Sequence, residues 1–122
     1  MGRWEVHSAG AAGPSDGVLL AVQGSYFTKA RVHFEGRIPE VTGTFGDCPV
    51  VFFTCYAPGH YLPEPERQAF WTALGRAVGQ VARRYQVVLL GDFNAHVGPG
   101  RSNYWVGDHG CHSVELQWRG PF

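Results

Sequence analysis

Short apolar runs, broken by glycine, proline and polar residues, recur along the chain and predict five β-strands. We predict them at residues 18–23, 31–35, 40–45, 50–56 and 87–90. The run at 50–56, VVFFTCY, is the strongest, because β-branched and aromatic residues fill it. The GDCP segment that precedes it predicts a hairpin turn, and Gly43 is a candidate bulge. Residues 1–17, rich in glycine, alanine and serine, are predicted to be irregular.

The period of the pattern changes after the fourth strand, and residues 64–85 predict one amphipathic helix. Its apolar positions recur at spacings of three and four: Phe70, Leu74, Val78, Val81 and Tyr85. Arg83 and Arg84 fall in the predicted last turn, where cations suit the helix dipole. A strand, a helix and a strand in this order indicate a crossover unit, in which the two strands are parallel. The sequence therefore predicts an α/β protein with a mixed sheet and a crossover helix.

The segment VVLLGDFNAHVG at residues 87–98 places polar groups directly after a buried strand. Side chains alternate along an extended chain, so Asp92 and Asn94 should point one way and Phe93 back into packing. Tyr56 ends the strand at 50–56, and parallel strands would bring it to the same edge. Ligands of open α/β sheets usually bind at this edge. The competing interpretation is a simple turn, because Asp, Asn and Gly are common turn formers.

Composition bounds the class of protein. At 122 residues the chain is one domain or part of one, and its 10 basic and 10 acidic residues balance. This balance disfavours a purely electrostatic nucleic-acid binder, but it is compatible with an enzyme that grips a few phosphates. No apolar run approaches a membrane span, and no secretory signal is evident. Three cysteines without CxxC spacing favour reduced thiols, so we expect an intracellular protein, with the nucleus as a candidate compartment.

Several motifs in order resemble the endonuclease/exonuclease/phosphatase superfamily, most of all the endonuclease domains of non-LTR retrotransposons. They are GVLLAV at residues 17–22, GRI at 36–38, CYAPGH at 55–60, the helix with ERQAFWTAL at 66–74, GDFNAHVG at 91–98 and GDHG at 107–110. The resemblance implies a DNase I-like α/β sandwich that hydrolyses phosphodiesters with Mg²⁺ and contacts mainly the DNA phosphate backbone. It implies that Asp92 is the base that orients water, Asn94 a phosphate or transition-state ligand, and Tyr56 a phosphate contact.

Two parts of the family pattern have no match here. The family's metal-binding Glu lies on a strand before the GV segment, and Glu5, in a different setting, is a weak candidate, so the metal ligands are unknown. The family's closing Ser-Asp-His is also missing, and Asp108-His109 follows GDFN too closely to replace it. We therefore expect an incomplete sandwich over residues 18–110, truncated at both ends, with an irregular tail at 111–122. Such a fragment should be a weak or inactive endonuclease.

Alternative functions stay open. One is a phosphatase of the same superfamily that acts on a nucleotide or inositol phosphate, and another is a non-catalytic remnant or binding fragment. A zinc site is disfavoured, because the candidate ligands lack the usual spacing: His96, His109, Cys111 and His112. Cys55 is expected to be a small core residue, and the tryptophans are expected to be core or partly buried. Exposed sheet surface in a half-sandwich predicts self-association and poor solubility.

Overall fold

The computed structural model describes residues 3–10, 17–23, 27–34 and 36–95, and within them the protein is mixed α/β. In this described part of the chain, six strands form two sheets, and there is one helix. The elements in chain order are β1 (Trp4–Gly10), β2 (Gly17–Gln23), β3 (Phe27–His33), β4 (Ile38–Phe45), β5 (Cys48–Tyr56), α1 (Glu64–Val81) and β6 (Gln86–Asp92). All five predicted strands and the predicted helix exist, with boundaries that differ by a few residues.

The larger sheet has four strands in the order β3-β4-β5-β6. The first three are antiparallel, and β6 pairs with β5 in parallel. The mixed sheet and the crossover through α1 are therefore confirmed. Gly46 has a positive φ of 62° in the tight turn between β4 and β5, as the GDCP segment predicts. The bulge lies opposite Gly43, in β3 between Phe27 and Lys29, rather than in β4 itself.

The smaller sheet corrects the prediction for the N-terminal segment. Residues expected to be irregular form β1, which pairs antiparallel with β2 from Trp4 opposite Gln23 to Gly10 opposite Gly17. Glycine, alanine and serine in WEVHSAG have little preference for strands on their own. The strand forms because β2 supplies a complete hydrogen-bonding partner, and this information lies outside the segment. β2 contacts β4 and β5, and β1 contacts β4, so the two sheets pack against each other.

The main core lies between α1 and one face of the larger sheet. Its buried members are Ile38, Val51, Phe53, Cys55, Ala57, Phe70, Leu74 and Ala77. Val78, Val81 and Tyr85 pack against this cluster and are partly buried, so the apolar stripe predicted for the helix is confirmed. Val41 and Val50 are buried on the opposite face of the sheet, by the alternation of side chains along each strand.

Two details differ from the sequence-based expectations. The helix ends at Val81, and residues 82–84 continue as turns, so Arg83 and Arg84 lie beyond its last turn. Trp4 on β1 was expected to be core or partly buried, but it is 60% exposed. Trp71 is partly buried as predicted, and the other two tryptophans lie outside the described residues.

The helix found in the described ranges is not long and apolar enough to cross a lipid bilayer.

Candidate functional site

The carboxyl ends of β5 and β6, with the residues next to them, form one edge of the larger sheet, the rim, where Tyr56 and Asp92 lie side by side. These residues are register partners at the end of the parallel ladder. One more backbone bond follows, in which the Ala57 amide donates to the Asp92 carbonyl oxygen at 2.8 Å. Register partners in a parallel pair project to the same face of the sheet. The predicted convergence of these two residues, which are far apart in sequence, is therefore confirmed.

Gly91 explains how the two strand ends come so close. Its φ of +129° lies in a region that L side chains rarely adopt. A Cβ placed there would overlap the carbonyl oxygen and the backbone nitrogen of Cys55 on the neighbouring strand. The backbone of β6 can take this path beside β5 only because the position before Asp92 carries no side chain.

Asn94 ties the turn after β6 to the segment after β5. Its backbone amide donates to Asp92 Oδ1 at 2.9 Å, which forms a short Asx-type turn. Its side-chain Nδ2 donates to the Ala57 carbonyl oxygen at 2.7 Å, and its φ is 45°. Both polar side chains thus have structural roles, as the turn interpretation predicts. The same bonds also fix their positions at the rim, where both residues are exposed.

Phe93 points away from the rim, as the alternation of side chains predicts. It packs against the core and stacks on Trp71 of α1, with ring centroids 6.3 Å apart and an interplanar angle of 18°. Trp71 in turn meets Phe70 edge to face, with centroids 5.1 Å apart. This aromatic chain connects the helix to the turn between Asp92 and Asn94. The polar pair is therefore anchored by packing on one side and by hydrogen bonds on the other.

Arg37 is a rim residue that the sequence analysis did not single out. Its guanidinium carbon lies 5.1 Å from the centroid of the Tyr56 ring, and its Nη1 donates to the Tyr56 carbonyl oxygen at 3.4 Å. The Tyr56 amide donates to the Arg37 carbonyl oxygen at 3.0 Å, so the backbones are also neighbours. The GRI motif contains this arginine. The contact of this arginine with Tyr56 depends on how the strands pair, and the motif alone does not predict that pairing.

Glu40, a buried acid of this sheet, lies on the opposite face. Glu40 is 4% exposed, and its Oε2 lies 2.6 Å from His33 Nε2. It pairs in register with Phe53, which faces α1, whereas Tyr56 and Asp92 belong to the other face by alternation. Glu40 therefore stabilises the strand pair β3-β4 through His33 and does not belong to the rim.

Asp92 is the carboxylate that the described residues place at the rim. A bound Mg²⁺ usually needs one or two carboxylates together with water and substrate phosphate oxygens. Within residues 3–95, apart from the gaps in the described ranges, no three histidine, cysteine or acidic side chains group as metal ligands.

The remaining candidates for metal ligands or a nucleophile lie away from the rim or outside the described residues. Glu5 lies on exposed β1, with Oε2 3.9 Å from His7 Nε2. Cys55 is buried in the core as predicted, and burial raises the pKa of its thiol to about 12, which makes the nucleophilic thiolate scarce near neutral pH. The four residues weighed for zinc, His96, His109, Cys111 and His112, all lie outside the described residues.

Comparison with known proteins adds no assignment: no family model and no curated protein sequence matches this chain.

Proposed function

We propose that this chain is part of a phosphodiesterase, a DNA endonuclease of retrotransposon type, whose reacting groups are Tyr56, Asp92 and Asn94. The observation that carries the proposal is the pairing of Tyr56 with Asp92 at the end of the parallel ladder, with Asn94 bonded across to Ala57. The residues that carry a phenol, a carboxylate and a carboxamide are thereby brought to one edge of the sheet. A carboxylate can serve phosphodiester hydrolysis as the base for water, and a carboxamide and a phenol can donate hydrogen bonds to phosphate oxygens.

The geometry supports a distinct role for each group. Asp92 Oδ1 accepts the hydrogen bond from the Asn94 backbone amide. Its Oδ2 is then the oxygen that can accept a proton from an attacking water molecule. The Asn94 Nδ2 has a second hydrogen beside the one it donates to Ala57, and it can donate this to a phosphate oxygen. The Tyr56 hydroxyl supplies another donor. Fixed donors of this kind stabilise the charge that develops on phosphate oxygens.

The finer fold assignment belongs to the same proposal. Two sheets in contact, with a helix against the outer face of one of them, are the arrangement expected for half of a DNase I-like sandwich. The resemblance of CYAPGH and GDFNAHVG to retrotransposon endonucleases favours DNA as the substrate. Contacts would then go mainly to the phosphate backbone, which fits a chain without excess positive charge.

Dependence on Mg²⁺ is proposed from the resemblance. When bound, the ion would neutralise charge on the phosphate.

Nicking of supercoiled plasmid tests the proposal directly. We expect slow nicking by the chain in Mg²⁺, no nicking in EDTA, and a loss of about 100-fold or more in Asp92→Ala. Asp47→Ala is the matched control, because Asp47 is also an exposed acid but lies in the turn before β5, at the opposite end of that strand. Equal rates for the chain and for Asp92→Ala would contradict the site assignment.

A non-catalytic binding fragment is the second candidate. The observation that favours it is the engagement of Asp92 and Asn94 in the turn itself, which gives both residues a purely structural reason to be present. Isothermal titration with duplex DNA distinguishes the two functions. Binding of DNA without nicking in Mg²⁺ would support the fragment, and nicking that depends on Asp92 would exclude it.

A further inference from the structure

Three neighbouring strands carry a cation, a phenol and a carboxylate in a row at one end of the sheet. Arg37, just before β4, lies across from Tyr56 at the end of β5, and Tyr56 lies across from Asp92 at the end of β6. Two backbone hydrogen bonds fix the position of Arg37. Its amide donates to the Phe34 carbonyl oxygen at 3.0 Å, and its carbonyl oxygen accepts the Tyr56 amide. The row is thus part of the sheet rather than of a free loop.

We propose that Arg37 is a positioning residue, which orients the Tyr56 side chain relative to Asp92. The proposal rests on the proposed function and extends it to a residue that the motif analysis did not assign. Two contacts carry it: the guanidinium lies over the ring at 5.1 Å, and Nη1 bonds to the carbonyl of the same tyrosine. The arginine therefore touches both the side chain and the backbone of Tyr56.

The reason for an arginine is the shape of its cation. A guanidinium is planar, so it can lie on an aromatic face and still direct a hydrogen to a carbonyl oxygen, whereas an ammonium is a compact point charge. A tyrosine ring has two side-chain torsions, and a contact on its face restricts both. The hydroxyl then stays where a phosphate oxygen would need it. Small errors in the placement of a reacting group can reduce a rate strongly.

Plasmid-nicking kinetics distinguish positioning from direct phosphate binding. We expect Arg37→Gln to lower kcat by about 2- to 30-fold, the range that a cation–π contact accounts for, with KM nearly unchanged. Arg37→Lys, which keeps the charge, should recover part of that loss. In a Tyr56→Phe background the hydroxyl is gone, so Arg37→Gln should add little. An additive loss, or a raised KM with normal kcat, would indicate direct phosphate contact and overturn the proposal.

A second measurement does not depend on activity. In a chain labelled with ¹³C-tyrosine, five tyrosines give ring signals, and the Tyr56 signal is the one that disappears in Tyr56→Phe. We expect Arg37→Gln to move this signal and leave the others in place. Arg76→Gln is the control, because Arg76 is exposed on α1. Thermal unfolding of each variant confirms that it is folded.

The two proposals can fail separately. If the chain does not nick DNA but the Tyr56 signal responds to Arg37→Gln, the proposed function fails, and a catalytic purpose for the contact fails with it, although Arg37 still orients the Tyr56 ring. If the chain nicks DNA through Asp92 but Arg37→Gln changes neither kcat nor the Tyr56 signal, the positioning role is wrong.

Discussion

At the scale of single residues, the geometry of the rim depends on Gly91. Its positive φ and the closeness of the Cys55 backbone leave no room for a side chain. We expect Gly91→Ala to lower the free energy of unfolding by about 1–3 kcal/mol, because the new Cβ forces both strained backbone and overlap. Gly79→Ala is the control. Nothing lies within 4 Å of a Cβ at this exposed helical position, so alanine should stabilise by about 0.5–1 kcal/mol. Urea unfolding measures both, and equal stability of the two variants would refute the account.

Cys55 provides a test at the same scale through its pKa. Burial raises this pKa from 9.0 to about 12, so the reactive thiolate is scarce near neutral pH. In a Cys48→Ser/Cys111→Ser variant, we expect Cys55 to resist a thiol reagent at pH 8 in the folded chain and to react quickly in denaturant. The folded state favours the neutral thiol, so the contribution of this group to stability is complete below pH 9 and declines as the pH rises toward 12. Fast labelling of the folded chain would show that Cys55 is accessible.

Residue identities at the rim were largely predictable, and their partners were not. Asp92, Asn94 and Tyr56 follow apolar strands, so alternation and strand ends identify them from sequence. The sequence did not predict a role for Arg37, because no neighbouring residue in the chain distinguishes it from a solvent-exposed charge. Its contact with Tyr56, 19 residues away, exists only once β4 and β5 are paired.

At the scale of elements, α1 holds the sheet through a few fully buried side chains. Leu74 is 1% exposed and belongs to the core cluster between helix and sheet. We expect Leu74→Ala to cost about 2–5 kcal/mol of unfolding free energy, because it removes packed methyl groups and leaves a cavity. Thr72→Ala, at an exposed position of the same helix, should change stability by less than about 0.5 kcal/mol. Chemical denaturation of both variants provides the comparison, and a small effect of Leu74→Ala would mean that the helix packs loosely.

Element boundaries show where local patterns reach their limit. The apolar period continues to Tyr85, but the helix ends at Val81. The predicted extension is wrong because Tyr85 can pack on the core from the turn after the helix as well as from a helix. The strand at residues 4–10 was not predicted, for the opposite reason. Its residues have a weak preference for strands, and the strand forms because it pairs with β2.

At the scale of the whole molecule, the larger sheet has an apolar edge strand. β6 ends the strand order of this sheet in the described part of the chain, and Leu89 and Leu90 on it are 37% and 41% exposed. We expect the chain to self-associate with rising concentration in sedimentation velocity, and Leu90→Lys to reduce this, because a charge on an edge opposes strand addition. Tyr61→Lys is the control, since Tyr61 is 73% exposed but lies outside any strand. A chain that stays monomeric at all concentrations would contradict the prediction.

The sequence by itself determined the elements of the larger sheet, its crossover helix and the three polar residues at the strand ends. These follow from periodicity and strand endings, which are local properties of the chain. The tertiary structure alone decided that β1 exists, that Glu40 faces the helix and not the rim, and that Arg37 lies on Tyr56. Each of these depends on which strand pairs with which and in what register, and that choice is made by contacts between residues distant in the chain.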